Sequence, residues 1–194
     1  MDTISVEPPT AASVEKLFRR SIRLFQDEQW SEALGSFDAL ARLQPHRNDV
    51  HNYRARAYER LGRIEDALEC LDRALAIDPR NVADLRNRGV LLRRLGRPSE
   101  ALASIEALLA VAPNDSAVLI RRGLVLNELD RREEGLASLD QAARENPDDL
   151  EVLNARVLVL VYLENWVTAC CSVITKVGGA AAPKGLLGGG SVGG

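Results

Sequence analysis

Residues 56–79 read RAYERLGRIEDALECLDRALAIDP, and the proline that closes this stretch belongs to a series. Four prolines follow one another at intervals of 34 residues: Pro45, Pro79, Pro113 and Pro147. Because proline lacks an N–H group and fixes φ, it ends a helix instead of continuing it. A fixed period of this length marks a helix–turn–helix unit that is copied along the chain. The sequence therefore predicts units over 14–47, 48–81, 82–115 and 116–149, and a fifth that begins at 150.

Each unit also carries a turn signal between its two predicted helices. Glycine follows a leucine at Gly62 and Gly96, and glycine is the common residue at the left-handed position that ends a helix. Acidic residues then open the second predicted helix, where the helix dipole favours negative charge. These residues are Glu32, Glu65, Asp66, Glu100, Glu133 and Glu134. The pattern predicts an antiparallel helix hairpin in each unit.

Small and bulky residues recur in the same register. Small residues occupy the predicted crossing points of the paired helices: Ala55, Gly89 and Gly123 in the first helix, Ala33, Ala67 and Ala101 in the second. Large residues occupy the predicted core: Tyr58, Leu92, Leu126, Phe37, Leu71, Ile105 and Leu139. The fourth unit has Gly135 in place of the alanine, and we expect this glycine to cost about 0.5–1 kcal/mol in helix stability.

This pattern resembles the tetratricopeptide repeat (TPR) family. Residues 56–79 match its series of small, aromatic, Leu-Gly, alanine and proline positions, and the resemblance covers roughly residues 14–175. It implies an all-α fold, a right-handed α-solenoid of stacked helix–turn–helix hairpins in an α-α superhelix.

The predicted organisation has three parts. A flexible N-terminal arm covers residues 1–13, with Ser13 as the N-cap of the first helix. The TPR array covers 14–176, and its last unit, 150–176, is degenerate because its first helix is more apolar than the others. A Gly/Ala-rich tail over 177–194 is expected to be disordered, since it has too little apolar surface to offset the entropy of ordering.

The sequence offers no arrangement typical of an enzyme. The two histidines, His46 and His51, fall in an inter-repeat turn and at a packing position. Cys70 lies on an Ala/Leu-rich helix, which favours a buried thiol, and the three cysteines have no metal-ligand spacing. The glycine-rich tail follows no predicted strand, so it lacks the context of a nucleotide site. We expect no catalytic residue, no metal and no cofactor.

Composition limits the compartment and the partners. The N-terminus lacks the apolar core of a signal peptide, and no stretch reaches the ~18–20 apolar residues of a membrane span. A cytoplasmic protein without a membrane span is predicted. The net charge is −3 and aromatic residues make up 4%. Nucleic-acid binding is therefore not expected, since it needs a dominant positive field and stacking aromatics.

The resemblance implies a concave groove lined by the first helices of successive units. The residues that it places there are Asn52, Tyr53, Arg56, Arg60, Arg86, Asn87, Arg93, Arg94, Arg121 and Asn127. Guanidinium groups bind carboxylates in bidentate fashion, so the hypothesis is a groove for an extended, acidic peptide. The alternative is that arginine simply fills exposed helix positions, because it outnumbers lysine 22 to 3 along the whole chain.

A second arginine series has the period of the repeat. Its members are Arg54, Arg88, Arg122 and Arg156. In this register we expect them to lay their aliphatic stems over a neighbouring helix and not to contact a ligand.

The predicted function is a non-catalytic TPR interaction module, a scaffold, adaptor or co-chaperone that binds a protein or peptide. The alternative is the N-terminal TPR region, or a truncated relative, of a larger enzyme such as an O-GlcNAc-transferase-like glycosyltransferase. The apolar unit at 150–176 leaves three explanations open: a truncated or frame-shifted array, a natural degenerate end, or an end-face that docks a partner. Self-association through this unit is included in the last.

Overall fold

The computed structural model of the protein describes residues 10–162. Within these residues the chain forms helices and no strand, so the all-α prediction is confirmed. The helices are α1 (Ala11–Gln26), α2 (Trp30–Leu43), α3 (Asn48–Arg60), α4 (Ile64–Ile77), α5 (Val82–Arg94), α6 (Pro98–Val111), α7 (Ser116–Glu128), α8 (Arg132–Glu145) and α9 (Leu150–Tyr162). The predicted tail and the second half of the degenerate unit lie outside the described residues.

The chain divides into two compact units, Met1–Val111 and Ala112–Gly194. In the first unit each helix from α1 to α6 packs against the next along the chain. In the second, α7 packs against α8, and α9 packs against both. This consecutive packing follows from the repeat, because each hairpin buries its apolar face mainly on its neighbours in sequence.

The predicted core positions are buried except Tyr58, which is half-buried and packs against the core. Phe37, Leu71 and Leu139 are fully enclosed, and Ile105 is 5% exposed. The prolines act as predicted, since α2, α4, α6 and α8 each end two residues before one of the four prolines.

The turn inside each hairpin has one backbone geometry. Gly62 and Gly96 have φ of 75° and 68°. After α3, the Gly62 N–H donates to the Glu59 carbonyl at 3.0 Å and the Arg63 N–H to the Tyr58 carbonyl at 2.9 Å, which is a Schellman motif. Glu28 and Asp130 take the same left-handed position, with φ of 61° and 62°. The turn is therefore kept even where the glycine is absent.

Arginine replaces the usual N-cap at several second helices. No side chain caps α4 or α8 by a hydrogen bond to its first turn. Instead Arg97, just before α6, donates to both carboxylate oxygens of Glu100 at 2.6 Å. This pairing lowers the pKa of Glu100, and Arg131 lowers the pKa of Glu134 in the same way. The two ion pairs therefore favour the folded state above the ordinary glutamate pKa, and this contribution is lost as the pH falls.

The N-terminal boundary differs from the prediction. Thr10 is the N-cap of α1, and its hydroxyl oxygen accepts a hydrogen bond from the Ser13 N–H at 3.2 Å. Helix α1 thus begins at Ala11 and includes residues assigned to the arm, so the assignment of Ser13 as the cap is wrong. The reason is that Ala11 and Ala12 are strong helix formers and Thr10 offers an equivalent cap one turn earlier.

Gly135 has a packing role that its helix propensity does not show. A Cβ atom at Gly135 would lie 2.8 Å from the Gly123 carbonyl oxygen, and a Cβ at Gly123 would lie 3.0 Å from the Gly135 carbonyl oxygen. The two glycines therefore let the backbones of α7 and α8 approach more closely than an alanine would allow. The cost in helix stability stays a prediction, and the close approach is the reason for a glycine at this position.

We expect Gly135→Ala to lower the free energy of unfolding by about 1–3 kcal/mol, because the methyl group meets backbone that cannot rotate away. Gly35, in α2, is the matched control, since a Cβ there meets nothing within 4 Å. Gly35→Ala should raise stability by about 0.5–1 kcal/mol. Urea denaturation followed by circular dichroism checks both values. Stabilisation by both substitutions would contradict the close approach of α7 and α8.

Candidate peptide-binding face

The periodic arginines are held by acids on the preceding second helix. Arg54 Nε lies 2.7 Å from Asp38 Oδ1, Arg88 Nε lies 2.6 Å from Asp72 Oδ1, and Arg156 Nη2 lies 2.8 Å from Asp140 Oδ1. Each acid precedes its arginine by 16 residues. These arginines therefore join neighbouring helices through ion pairs, which we did not predict from the sequence. The signal was in the sequence, because the acids also repeat every 34 residues. The packing of the aliphatic stems of these arginines on a neighbouring helix stays a prediction.

Serine hydroxyls hold the same arginines from the second helix of their own hairpin. Arg88 Nη1 donates to Ser104 Oγ at 2.8 Å, and Arg122 Nη1 donates to Ser138 Oγ at 2.5 Å. Cys70 occupies the equivalent place in the hairpin of α3 and α4. It is a free, buried thiol, and burial raises its pKa to about 11. Cys70 is therefore protonated at neutral pH and is poorly suited to act as a nucleophile.

Other arginines of α3 and α5 are exposed. We call this set the arginine face: Arg56, Arg60, Arg86, Arg93 and Arg94. Arg94 Nη1 lies 2.8 Å from Glu59 Oε1, and both side chains are substantially exposed. Arg56 lies over the rings of Phe25 and Tyr53, 5.0 and 5.2 Å from their centroids.

Two adjoining clefts open at one end of the arginine face, and Trp30, Arg56 and Arg60 line both. The first has a volume of about 260 Å³ and an aromatic wall that includes Phe25. The second, of about 430 Å³, adds Glu59 and Arg94. The clefts thus combine apolar surface with guanidinium groups, which suits a peptide that carries both apolar and acidic side chains. Trp30 was missed by the sequence analysis because it lies at the start of a second helix.

Asn52 and Tyr53 make contacts inside the protein. Asn52 Nδ2 donates to Asp84 Oδ1, which links α3 to α5. Asp84 is fully buried, and its Oδ2 has no hydrogen-bond partner among the described residues. Tyr53 stacks on Phe37 with the ring centroids 5.3 Å apart and meets Phe18 edge-on at 5.9 Å. Both predicted site residues are half-buried and contribute to packing at the base of the face.

The remaining predicted residues are divided between the two compact units. Asn87 is half-buried on α5 of the first unit. Arg121 and Asn127 lie on α7 of the second unit, and both are half-buried. Asn127 Oδ1 is buried without a hydrogen-bond partner among residues 10–162.

His51, another candidate for chemistry, makes a structural contact in the described part of the chain. His51 is 4% exposed, and its Nε2 lies 2.8 Å from the Pro45 carbonyl oxygen. Over residues 10–162, no cluster of three His, Cys, Asp or Glu side chains is placed to hold a metal ion. A search of the same residues finds no helix with the length and apolar character of a membrane span.

The chain belongs to the tetratricopeptide repeat family. Two family models described as tetratricopeptide repeat match it, one over residues 18–82 and the other over 54–120. This family is a protein-interaction fold built from helix hairpins. None of the curated proteins matches the chain.

Solved structures share the fold. MamA (residues 41 to the end) from Desulfovibrio magneticus is 22% identical, with a TM-score of 0.75 over 84% of this chain and 92% of that one. YrrB, described as a TPR protein with an unusual peptide-binding site, is 17% identical, with a TM-score of 0.71 over 81% of this chain and 83% of that one. A tetratricopeptide repeat protein from Parabacteroides merdae is 20% identical, with a TM-score of 0.77 over 86% of this chain and 68% of that one.

The helix-joining ion pairs can be tested by substitution. We expect Arg54→Met to lower the free energy of unfolding by about 1–3 kcal/mol, because it leaves Asp38 without its charged partner. The Arg54 side chain is 13% exposed. Arg19→Met is the control, since the Arg19–Glu15 pair is exposed and local and its loss should change stability by less than about 0.5 kcal/mol. Equal effects in chemical denaturation would argue against a structural role for the periodic arginines.

Proposed function

We propose that this protein is a non-catalytic interaction module, a scaffold, adaptor or co-chaperone, that binds an extended, acidic peptide on the arginine face. The observation that carries the proposal is the division of the arginines into two sets. One set is paired with acids on preceding helices, whereas Arg60 and Arg86 have no hydrogen bond or ion pair within residues 10–162. Arg60 and Arg86 therefore place positive charge without a structural partner on α3 and α5 of the first unit.

The chemistry of the face supports an acidic ligand. An exposed guanidinium group keeps its planar fork of donors available, and it binds a carboxylate with two parallel hydrogen bonds. Arg94 already donates to a carboxylate, that of Glu59. A carboxylate of the peptide can therefore compete with Glu59 for Arg94. The aromatic wall at Phe25 and Trp30 offers apolar surface to neighbouring peptide side chains. Specificity would then come from the spacing of acidic and apolar residues in the peptide.

The two half-buried residues at the base of the face have a supporting part in the proposal. Asn52 and Tyr53 hold α3 against its neighbours through Asp84 and Phe37. Because this base is already rigid, the protein itself loses less conformational entropy when a peptide binds. The predicted residues Arg121 and Asn127 belong to the second compact unit, and a role for them in binding is a separate part of this hypothesis. The proposal places the protein in the cytoplasm, which suits the free thiol of Cys70.

Charge reversal tests the arginine face. We expect Arg60→Glu with Arg86→Glu to weaken the binding of a fluorescein-labelled Asp/Glu-rich peptide by about ten-fold or more, since two attractive contacts become repulsive. Fluorescence anisotropy at low and high salt measures the affinity. Binding should weaken as salt rises, because the exposed charges are screened.

The control is Arg80→Glu with Arg144→Glu, which changes the net charge equally at exposed positions outside the face. This variant should bind nearly as well as the wild-type protein. If both variants lost affinity equally, the loss would be explained by net charge alone and not by the arginine face. Undiminished binding by the Arg60→Glu and Arg86→Glu variant at low salt would refute the proposed face.

We also propose that the protein self-associates through α9. The helix exposes Leu150, Leu158, Val161 and Tyr162, at 67%, 44%, 49% and 56%. Exposed apolar side chains that share a helix favour burial against a partner.

We expect a concentration-dependent dimer in sedimentation, which Leu158→Glu with Val161→Lys should shift to monomer. The exposed pair Arg80→Glu and Glu133→Lys is the control, and loss of the dimer in that variant too would contradict the assignment to α9.

A further inference from the structure

A cavity of about 660 Å³ lies in the first unit, between α2 and α4. The α2–α3 loop contributes Pro45 and His46 to its wall, and α3 contributes His51 and Arg54. The cavity shares no residue with the arginine face or its clefts. The chain has two histidines, and both line this cavity.

The repeat shows which residues the fold needs at these places. The leucines equivalent to His51 in the other units are Leu17, Leu85, Leu119 and Leu153. Arg42 and Arg73 stand where the next repeat has Ala76 and Ala107, and Ala41 stands where it has Leu75. The fourth unit has Gln141, Ala143 and Arg144 at these places, so the fold accepts both apolar and polar residues there and does not require the arginines. In this cavity, residue 41 is an alanine where the next repeat has the larger leucine. Arg42, His51 and Arg73 are polar where the next repeat has alanine or leucine.

The cavity has an excess of positive charge. Three arginines and one carboxylate, Asp38, line it. Arg54 is held by Asp38 at 2.7 Å, and Arg73 pairs with Glu69 on its own helix at 2.5 Å. Both side chains of the Arg73–Glu69 pair are more than half exposed, so an incoming anion can compete for Arg73. The side chains of Arg42 and His46 have no hydrogen bond or ion pair within residues 10–162. Donors for an anion are therefore present at the rim, while the base is occupied by the bonded chain of His51, Arg54 and Asp38.

The opposite part of the lining is apolar. Ala41, Ala76 and Ile77 contribute hydrocarbon surface, and Ile77 is 37% exposed. The volume falls within the range of about 300–1,000 Å³ that is usual for small-molecule sites. A ligand that fills the cavity would therefore need an anionic group and a short aliphatic part.

We propose that the α2–α4 cavity is a second binding site, one for a small organic anion. The carboxylate or phosphate group of the ligand lies between Arg42, Arg73 and His46, and its aliphatic part packs on Ala41, Ala76 and Ile77. This site is independent of peptide binding on the arginine face. It gives the module a place where a small molecule can bind while a peptide occupies the first helices.

The histidines make the site directly observable. In protein labelled with 13C at histidine Cε1 and free of a histidine tag, the two imidazole signals report on this cavity alone. Titration at constant pH with butyl phosphate, inorganic phosphate, glutarate and butylamine should give saturable shifts for the anions. Butyl phosphate should bind more tightly than inorganic phosphate, since only it reaches the apolar wall. Comparison of glutarate with butyl phosphate then assigns the preferred anionic group.

Two variants use residues that the same fold accepts one repeat later. Arg42→Ala with Arg73→Ala should weaken butyl phosphate binding by about ten-fold or more, because both charge-assisted contacts are lost. Ala41→Leu, which fills the cavity, should abolish the shifts. Arg80→Ala with Arg144→Ala is the charge-matched control and should bind normally. Shifts that do not saturate, that butylamine produces equally, or that survive Ala41→Leu would overturn the proposal.

Discussion

The packing of the two helices of a hairpin against each other at buried small residues, such as Ala33, Ala67 and Ala101, is the constraint on which the rest of the structure depends. At the crossing of α7 and α8 the carbonyl oxygen of Gly123 leaves no room for a side chain at residue 135. Because protein interiors are close-packed, a crossing this tight fixes the register of every side chain above and below it. In that register the fully buried Leu139 lies beside Gly123, and the fully buried Leu126 lies beside Gly135. The 34-residue period is therefore a packing requirement as well as a feature of the sequence.

The position of an arginine within the repeat determines whether it joins two helices or is exposed to solvent. An arginine placed once per repeat lies within reach of an acid on the preceding helix, and the half-buried pairs at Arg54, Arg88 and Arg156 follow. The arginines of the arginine face are exposed, and the charge of Arg60 and Arg86 is available to a partner because neither has a hydrogen bond or ion pair within residues 10–162. The high arginine content thus has two physical explanations. The structural pairs use the guanidinium fork inside the protein, and the arginine face presents it outside.

Departures from the repeat are the positions with the most functional information. A leucine at the place of His51 would satisfy the core, as it does in the other units. Around the α2–α4 cavity, neighbouring units show that the fold also accepts apolar residues in place of Arg42 and Arg73, whereas Gly135 has a packing reason in its contact with Gly123. In a repeat protein, residues at the same position of neighbouring units can be compared, and they show which side chains the fold accepts at that position. The comparison separates residues that the architecture needs from residues that a ligand would need.

The sequence by itself determined the helices, their turns and the family, because proline, glycine and the helix dipole act within a few residues of the chain. Helix ends at the four prolines and the left-handed turns at Gly62 and Gly96 were predictable for that reason. The start of α1 was not, since Thr10 and Ser13 are both acceptable caps and only the formed helix shows which one is used. Tertiary structure alone decided that Asn52 bonds Asp84, that Gly135 fits against Gly123, and that Arg42, Arg73 and both histidines surround one cavity. These contacts join residues on different helices, so they depend on packing distances that no local pattern encodes.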